Sequence, residues 1–308
     1  MRRRLLPLAA AAAALWLTGC KETPADHFQK AKDAIYEKDP QSALKHYRAA
    51  LDILEKDESP EAGLMRARAL RGAADVYFLE LRDMRQAVSV YRELINQCPE
   101  SKEALEAHVI LADILRNHFH DLRGAINELT AAIARNPPQS AELTYQVAKH
   151  YFELGDYQQC ALEAQQVFTR YETSAFVDDA MFLRAQALSM LDDRKAEAAK
   201  AFEDLARSMP DSELAPHALD ELAKLKADAG DDEGAIATWV EALKKHPNPS
   251  EVQASINRVR QRIARTTPTH VGDVGEAFDH IAGRRAAPPK TSIEAVGGTA
   301  EEATRDHE

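Results

Sequence analysis

The sequence predicts an all-α protein, a stack of about six helical hairpins closed by one further helix. Three observations predict it. Alanine is abundant while β-branched residues are sparse, a bias toward helix and away from sheet. A small residue recurs at Ala43, Ala87, Ala125, Cys160, Ala198 and Ala235, at intervals of 44, 38, 35, 38 and 37. Repetition at that period marks an array of supersecondary units. Each recurrence also carries the same punctuation: an Asp-bearing turn before it and, in four copies, a proline twelve residues beyond it (Pro99, Pro137, Pro210 and Pro247).

The chain begins with an address. Arg2-Arg3-Arg4 precedes an apolar run over residues 5–17, which ends in Leu17-Thr18-Gly19-Cys20. A cationic start, a short apolar stretch and small residues near a cut site describe a secretory signal peptide. Thirteen apolar residues fall short of the roughly 20 that a membrane-spanning helix needs. The Leu-Thr-Gly-Cys ending resembles the bacterial lipobox. That resemblance implies a diacylglycerol on the Cys20 sulfur, cleavage before Cys20, and acylation of the freed amine by a palmitate-type chain. Two or more acyl chains anchor a protein stably where one does not. The alternative is an ordinary signal peptide cut near Ala14 or Gly19. Lys21, and not Asp, follows the cysteine. By the sorting rule of enteric lipoproteins, this favours the outer membrane. Residues 1–19 are thus expected to be the signal peptide and 20–24 a lipidated linker.

From about residue 24 to 248 the hairpins follow one another. Lys38-Asp39-Pro40-Gln41-Ser42-Ala43 aligns with Arg82-Asp83-Met84-Arg85-Gln86-Ala87, His120-Asp121-Leu122-Arg123-Gly124-Ala125 and Gly155-Asp156-Tyr157-Gln158-Gln159-Cys160. A fifth copy ends at Ala198, with Asp193 displaced by one, and a sixth runs from Gly230-Asp231 to Ala235. Each Asp precedes an apolar-periodic stretch such as Ala43-Leu44-Tyr47-Ala50-Leu51, where its carboxylate can cap the first free N–H groups. Upstream lies a second helical pattern, for example Val147-Ala148-Tyr151-Phe152 before Gly155. Proline ends the second helix because it lacks an N–H and restricts its predecessor.

This unit of helix, tight turn, helix and proline stop resembles the tetratricopeptide repeat (TPR). The resemblance is clearest in Ala148-Lys149-His150-Tyr151-Phe152-Glu153-Leu154-Gly155-Asp156-Tyr157, followed by Cys160 where the family usually has Ala. The last copy carries Gly230-Asp231, Ala235, Trp239, Ala242-Leu243 and Pro247. The likeness covers about three-quarters of the chain and implies a superhelix with a concave groove.

The copies differ in turn length. First-helix and second-helix small residues are twelve apart in Ala31–Ala43, Ala148–Cys160 and Ala223–Ala235. They are thirteen apart in Ala74–Ala87, Ala112–Ala125 and Ala185–Ala198, which implies one extra turn residue in hairpins two, three and five. Lys56-Asp57-Glu58-Ser59-Pro60 is expected to be a polar insertion between hairpins one and two. After Pro247-Asn248-Pro249, the apolar positions Val252, Ile256, Val259 and Ile263 predict an amphipathic capping helix ending near Arg265, as a solenoid requires. The solenoid with its cap is thus assigned to residues 25–265, and 266–308, rich in Gly, Pro and Thr, to a flexible tail.

Composition and motifs narrow the function. A net charge of −11, which becomes −14 once the three arginines of the signal are removed, argues against nucleic acid as the main partner. His118-Phe119-His120-Asp121 is the densest cluster of metal-ligand types, but a tight site needs three or four converging ligands and Asp121 is already a helix cap. No metal or other cofactor is expected. Cys98 precedes a helix-ending proline and Cys160 occupies a packing position, two units apart and too distant for a disulfide. No Gly-rich phosphate loop, Gly-x-Ser-x-Gly or His-Glu-x-x-His occurs, so no catalytic residues are assigned and an enzyme is not expected.

By the TPR resemblance, certain first-helix positions would face the groove. One row reads Lys32, Asp75, Asp113, Lys149, Gln186 and Lys224. The row four residues earlier reads Phe28, Arg71, Val109, Tyr145, Phe182 and Asp220, and a third Ile35, Phe78, Arg116, Phe152, Ser189 and Ala227. Phe28, Lys32, Asp75, Phe78, Tyr145, Lys149, Phe152 and Phe182 are the candidate partner-binding residues, the alternative for each aromatic being packing between hairpins. The clamp for a terminal carboxylate known in some TPR proteins is not expected, because Phe28 and Lys32 stand at its first-repeat positions. The resemblance implies a non-catalytic scaffold or adaptor, lipid-anchored and periplasm-facing, that binds a protein or peptide. It is similar to the lipidated TPR proteins of envelope assembly: pilotins of pilus secretins, adaptors of motility complexes, and the lipoprotein subunit of the β-barrel assembly machine. An unrecognised periplasmic enzyme is the alternative of another class.

Overall fold

The computed structural model describes residues 22–266. Among them are thirteen α-helices and no strand. The first hairpin pairs α1 (Pro24–Tyr36) with α2 (Pro40–Leu54), and the second pairs α3 (Pro60–Asp75) with α4 (Met84–Gln97). Then follow α5 (Lys102–Phe119) with α6 (Leu122–Ile133), and α7 (Ser140–Glu153) with α8 (Tyr157–Arg170). The last two are α9 (Val177–Ser189) with α10 (Lys195–Ser208), and α11 (Ala215–Asp228) with α12 (Asp232–Ala242). The final helix is α13 (Pro249–Thr266). Through α12, each helix packs on the next in sequence, and first helices also touch across hairpins, α3 with α5 and α7 with α9.

The small residues sit where two helix axes approach. Ala31 and Ala43, Ala74 and Ala87, Ala112 and Ala125, Ala148 and Cys160, Ala185 and Ala198, and Ala223 and Ala235 are each at most 2% exposed. A larger side chain at such a point would push the helices apart. Larger apolar groups fill the space between hairpins: Leu70, Tyr91, Leu94 and Leu111 around α3–α5, and Val167, Phe202 and Leu205 around α8–α10. The final helix buries Val252, Ile256 and Val259 along one stripe.

Five hairpin turns share one geometry. A residue in the left-handed region (Lys38, Arg82, His120, Gly155 or Gly230) precedes an Asp whose carboxylate accepts the N–H three residues on. Only Gly155 and Gly230 adopt that backbone without a Cβ penalty. The extra turn residue is visible in the closing hydrogen bond. Asp39 N–H, Asp156 N–H and Asp231 N–H donate to carbonyls five residues back (Ala34, Tyr151, Lys226). Asp83 N–H and Asp121 N–H donate six back, to Tyr77 and Leu115. In the second hairpin the added residue winds Val76–Glu80 into a π-turn.

The fifth turn corrects the sequence expectation. Asp193 does not cap α10: it lies in a 3₁₀ turn over Asp192–Arg194, and the N-cap residue is Arg194, whose side chain makes no capping hydrogen bond and pairs with Glu197 instead. No left-handed residue precedes this turn, so the carboxylate is not set against the first free N–H groups. The polar insertion is the segment between α2 and α3, closed by Ser59 as N-cap and by Arg66 Nη2 donating to the carbonyls of Leu54 (2.7 Å) and Asp57 (3.1 Å). The signal peptide, Cys20 and the tail beyond residue 266 lie outside the described residues.

Candidate functional site

The three predicted rows lie on the first helices α1, α3, α5, α7, α9 and α11, except Phe78, which sits in the π-turn after α3, and they divide by what their side chains touch. The aromatic members are half-buried. Phe28 meets Tyr47 edge-on at 6.1 Å, Phe152 meets Tyr157 at 5.2 Å, and Phe182 meets the buried Phe202 at 5.6 Å, each within its own hairpin. Phe78 stands edge-on to His118 at 6.5 Å, and Tyr145 stacks on Phe176 at 5.7 Å, so these two reach the next unit. All five pack against core clusters. Burial of this kind contributes to hairpin stability as well as lining a surface.

Among the charged members, Asp75 is engaged from two sides: it accepts from the Tyr91 hydroxyl and from Arg71 Nε at 2.8 Å. Burial and the Asp75 carboxylate push the Tyr91 phenol far above its ordinary range. Lys224 pairs with Asp220 and Glu221, both at 2.8 Å, and Asp220 accepts the indole N–H of Trp239 at 2.7 Å. By contrast, Lys32 and Lys149 are exposed and make no ion pair among the described residues. Lys149 Nζ instead lies 5.7 Å over the Tyr145 ring.

Among the described residues three ion pairs join successive first helices, the longest being Arg68 Nε on α3 to Glu103 on α5 at 3.7 Å. Arg71 Nη1 on α3 reaches Glu106 on α5 at 2.7 Å, and Arg116 on α5 donates to both Glu153 oxygens on α7, at 2.8 and 3.3 Å. Sequence reasoning missed Glu106 and Glu153. The signal was present, because each acid lies 35 or 37 residues after its arginine, one repeat period.

Between α5 and α7 these side chains enclose a cleft of about 390 Å³, lined by Val109, Ala112, Asp113, Arg116, Gln146, Lys149, His150 and Glu153. Val109, Asp113, Arg116 and Lys149 were placed in the rows by sequence; Gln146 and His150 were not. His150 is 8% exposed, its Nδ1 has no hydrogen-bond partner, and burial holds its imidazole below the ordinary histidine value. The cleft therefore offers an apolar floor, a buried imidazole and a rim carrying both signs of charge.

Reactive groups lie elsewhere. Cys98 and Cys160 are free thiols, both pushed up by burial, Cys160 to about 12. Thiols held protonated are poor nucleophiles. His118 packs on Phe78, while His120 is the left-handed residue of its turn. Among the described residues no group of three or more His, Cys, Asp or Glu side chains could hold a metal, and no helix is long and apolar enough to cross a membrane.

The tetratricopeptide repeat family model matches residues 68–101 and 179–212, within the second and fifth hairpins. No curated protein matches the chain. Among solved structures, the C-terminal part of a TPR repeat-containing protein from Cytophaga hutchinsonii aligns with 75% of this chain and 87% of its own, at 15% identity and TM-score 0.54. The structure of Naa15/Naa10 bound to HypK-THB aligns with 85% of this chain and 36% of its own, at 14% identity and TM-score 0.54. A tetratricopeptide repeat protein from Parabacteroides merdae aligns with 77% of this chain and 98% of its own, at 14% identity and TM-score 0.44. The fold is all-α and of the tetratricopeptide type.

Proposed function

We propose that this tetratricopeptide-type array is a non-catalytic protein-binding scaffold, lipid-anchored through Cys20 at the periplasmic face of the bacterial outer membrane. There it supports the assembly or function of a cell-envelope complex of the pilus-secretin, motility or secretion kind. The observation that carries the binding reading is the α5–α7 cleft, with Val109 and Ala112 as floor and Asp113, Gln146 and Lys149 on the rim. An extended peptide or a partner helix laid across the first helices would set an apolar side chain on that floor. The exposed Lys32, Asp113 and Lys149 would then select its charge pattern and register. The Arg71–Glu106 and Arg116–Glu153 pairs hold neighbouring first helices together before any partner arrives, which lowers the ordering cost of binding. The anchoring reading is supported by the cationic start, the apolar run and the Leu17-Thr18-Gly19-Cys20 ending.

A photo-crosslinking amino acid placed at Asp113 or Lys149 in whole cells tests the groove, with Leu162 on α8, 52% exposed, as the outer-face control. The expected result is one shared envelope-protein adduct from positions 113 and 149 and none from 162. Equal labelling at all three positions, or none at the first two, would sink the reading. The identity of the adduct also separates the machines: a component of the β-barrel assembly machine, with many barrels falling on depletion, would assign the chain to that machinery instead.

A further inference from the structure

We propose that His27 and His46 form a binding site for one borderline divalent transition metal ion, Zn²⁺ or Cu²⁺, in the first hairpin. His27 lies one turn before Ala31 on α1 and His46 one turn after Ala43 on α2, so the antiparallel hairpin brings them to the same level. Their Nδ1 atoms face each other at 3.3 Å, with ring centroids 5.5 Å and planes 33° apart. Two imidazole nitrogens at ~2.0–2.1 Å from a tetrahedral metal lie about 3.3–3.4 Å from one another. An ion therefore fits between these atoms with the rings close to where they stand, in place of the single proton a His–His hydrogen bond would share.

Three features favour the metal-binding form. The His27 side chain is only 12% exposed, so little rotamer freedom remains to be lost. Burial, then the charges of His27 and Lys30, holds His46 below the ordinary histidine value, and neutral imidazole is the ligating form. The far nitrogen of His27, Nε2, lies 3.4 Å from Glu22 Oε2, the outer carboxylate arrangement that orients ligating histidines. Glu22 also pairs with Lys30, which offsets the nearest ammonium. Since no third donor joins the pair among the described residues, the remaining coordination positions are open to water or to a donor from another molecule.

The test is a Zn²⁺ titration by calorimetry of the full chain in detergent, beside His27→Gln, His46→Gln, Glu22→Gln and His118→Gln. One class of Zn²⁺ site should disappear in each of the first two variants, weaken about tenfold in Glu22→Gln and persist in His118→Gln. Electron paramagnetic resonance of the protein with one Cu²⁺ should show two imidazole nitrogens, falling to one in either single-histidine variant. An unchanged Zn²⁺ isotherm in both histidine variants, or a Cu²⁺ spectrum with fewer than two imidazoles in the parent protein, overturns the proposal. Should a histidine variant lose its helical circular dichroism, the parent Cu²⁺ spectrum and the Glu22→Gln isotherm decide, because both retain the two ligands.

Discussion

Gly72 on α3 packs directly against the Tyr47 ring on α2, and replacing it with alanine measures how much that approach matters. A Cβ at Gly72 on α3 would lie 2.4 Å from Tyr47 Cζ, 2.6 Å from Cε1 and 2.7 Å from the hydroxyl oxygen. Carbon atoms in contact normally stand about 3.5–4.0 Å apart, so the ring must move by roughly 1 Å. Tyr47 is 6% exposed and wedged against Phe28, which leaves it little room. Overpacking of this kind costs about 1–3 kcal/mol. Alanine also stabilises a helix interior by about 1 kcal/mol relative to glycine, which partly offsets the clash. Gly63 supplies the internal control, because it lies on the same helix and a Cβ there meets nothing within 4 Å. Gly63→Ala is expected to be neutral or stabilising, and Gly72→Ala less stable than Gly63→Ala by about 1–3 kcal/mol, the propensity gain cancelling between them. Urea unfolding compares the two variants, and amide exchange should show the loss concentrated in α2 and α3. Equal stability of the two variants would refute the reasoning, since it would mean that the Tyr47 ring yields without cost.

Three further outcomes are expected. Asp156→Ala should destabilise the protein by about 1 kcal/mol through loss of its cap on Gln159 N–H, whereas Asp193→Ala should change stability little; equal effects in urea unfolding would contradict the turn geometry. Because burial holds His150 below its ordinary value, the unfolded chain takes up a proton that the folded chain refuses, so stability should fall as pH drops below about 6.5. His150→Gln should shallow that fall in unfolding midpoints measured at pH 7.5 and 5.5, and an unaltered pH dependence would count against it. Cys20→Ser should abolish incorporation of an alkynyl palmitate label and release the chain from the membrane fraction; a labelled, membrane-bound variant would remove the lipid-anchor reading.

Much of the architecture is legible in the chain because hairpin repetition is a local property. Helix periodicity, the capping aspartates and the prolines act within a few residues of themselves, and the twelve- or thirteen-residue separations of the small residues anticipated which turns are longer. The fifth turn escaped because an Asp near a helix start caps it only if the preceding backbone presents the carboxylate. The rows of the groove were placed by the resemblance, yet which members remain available to a partner depends on neighbours along the helix, across the hairpin or a whole repeat away. Asp75 could not be known as engaged without Tyr91 and Arg71, nor Arg116 as a cross-helix tie without Glu153.

By itself, then, the sequence determined the all-α class, the number of hairpins, their boundaries and the length of most turns, since these follow from backbone propensity and short-range hydrogen bonds. It also carries the whole of the Cys20 expectation, which rests on residues 1–20. The tertiary structure decided where side chains from different helices meet. It turned candidate groove aromatics into half-buried contacts, opened the cleft between α5 and α7, left His150 without a partner for its Nδ1, and brought the His27 and His46 nitrogens to 3.3 Å. The physical reason is that a periodic pattern specifies which face of a helix is buried, whereas its contacts depend on the distance and rotation of the helix packed against it.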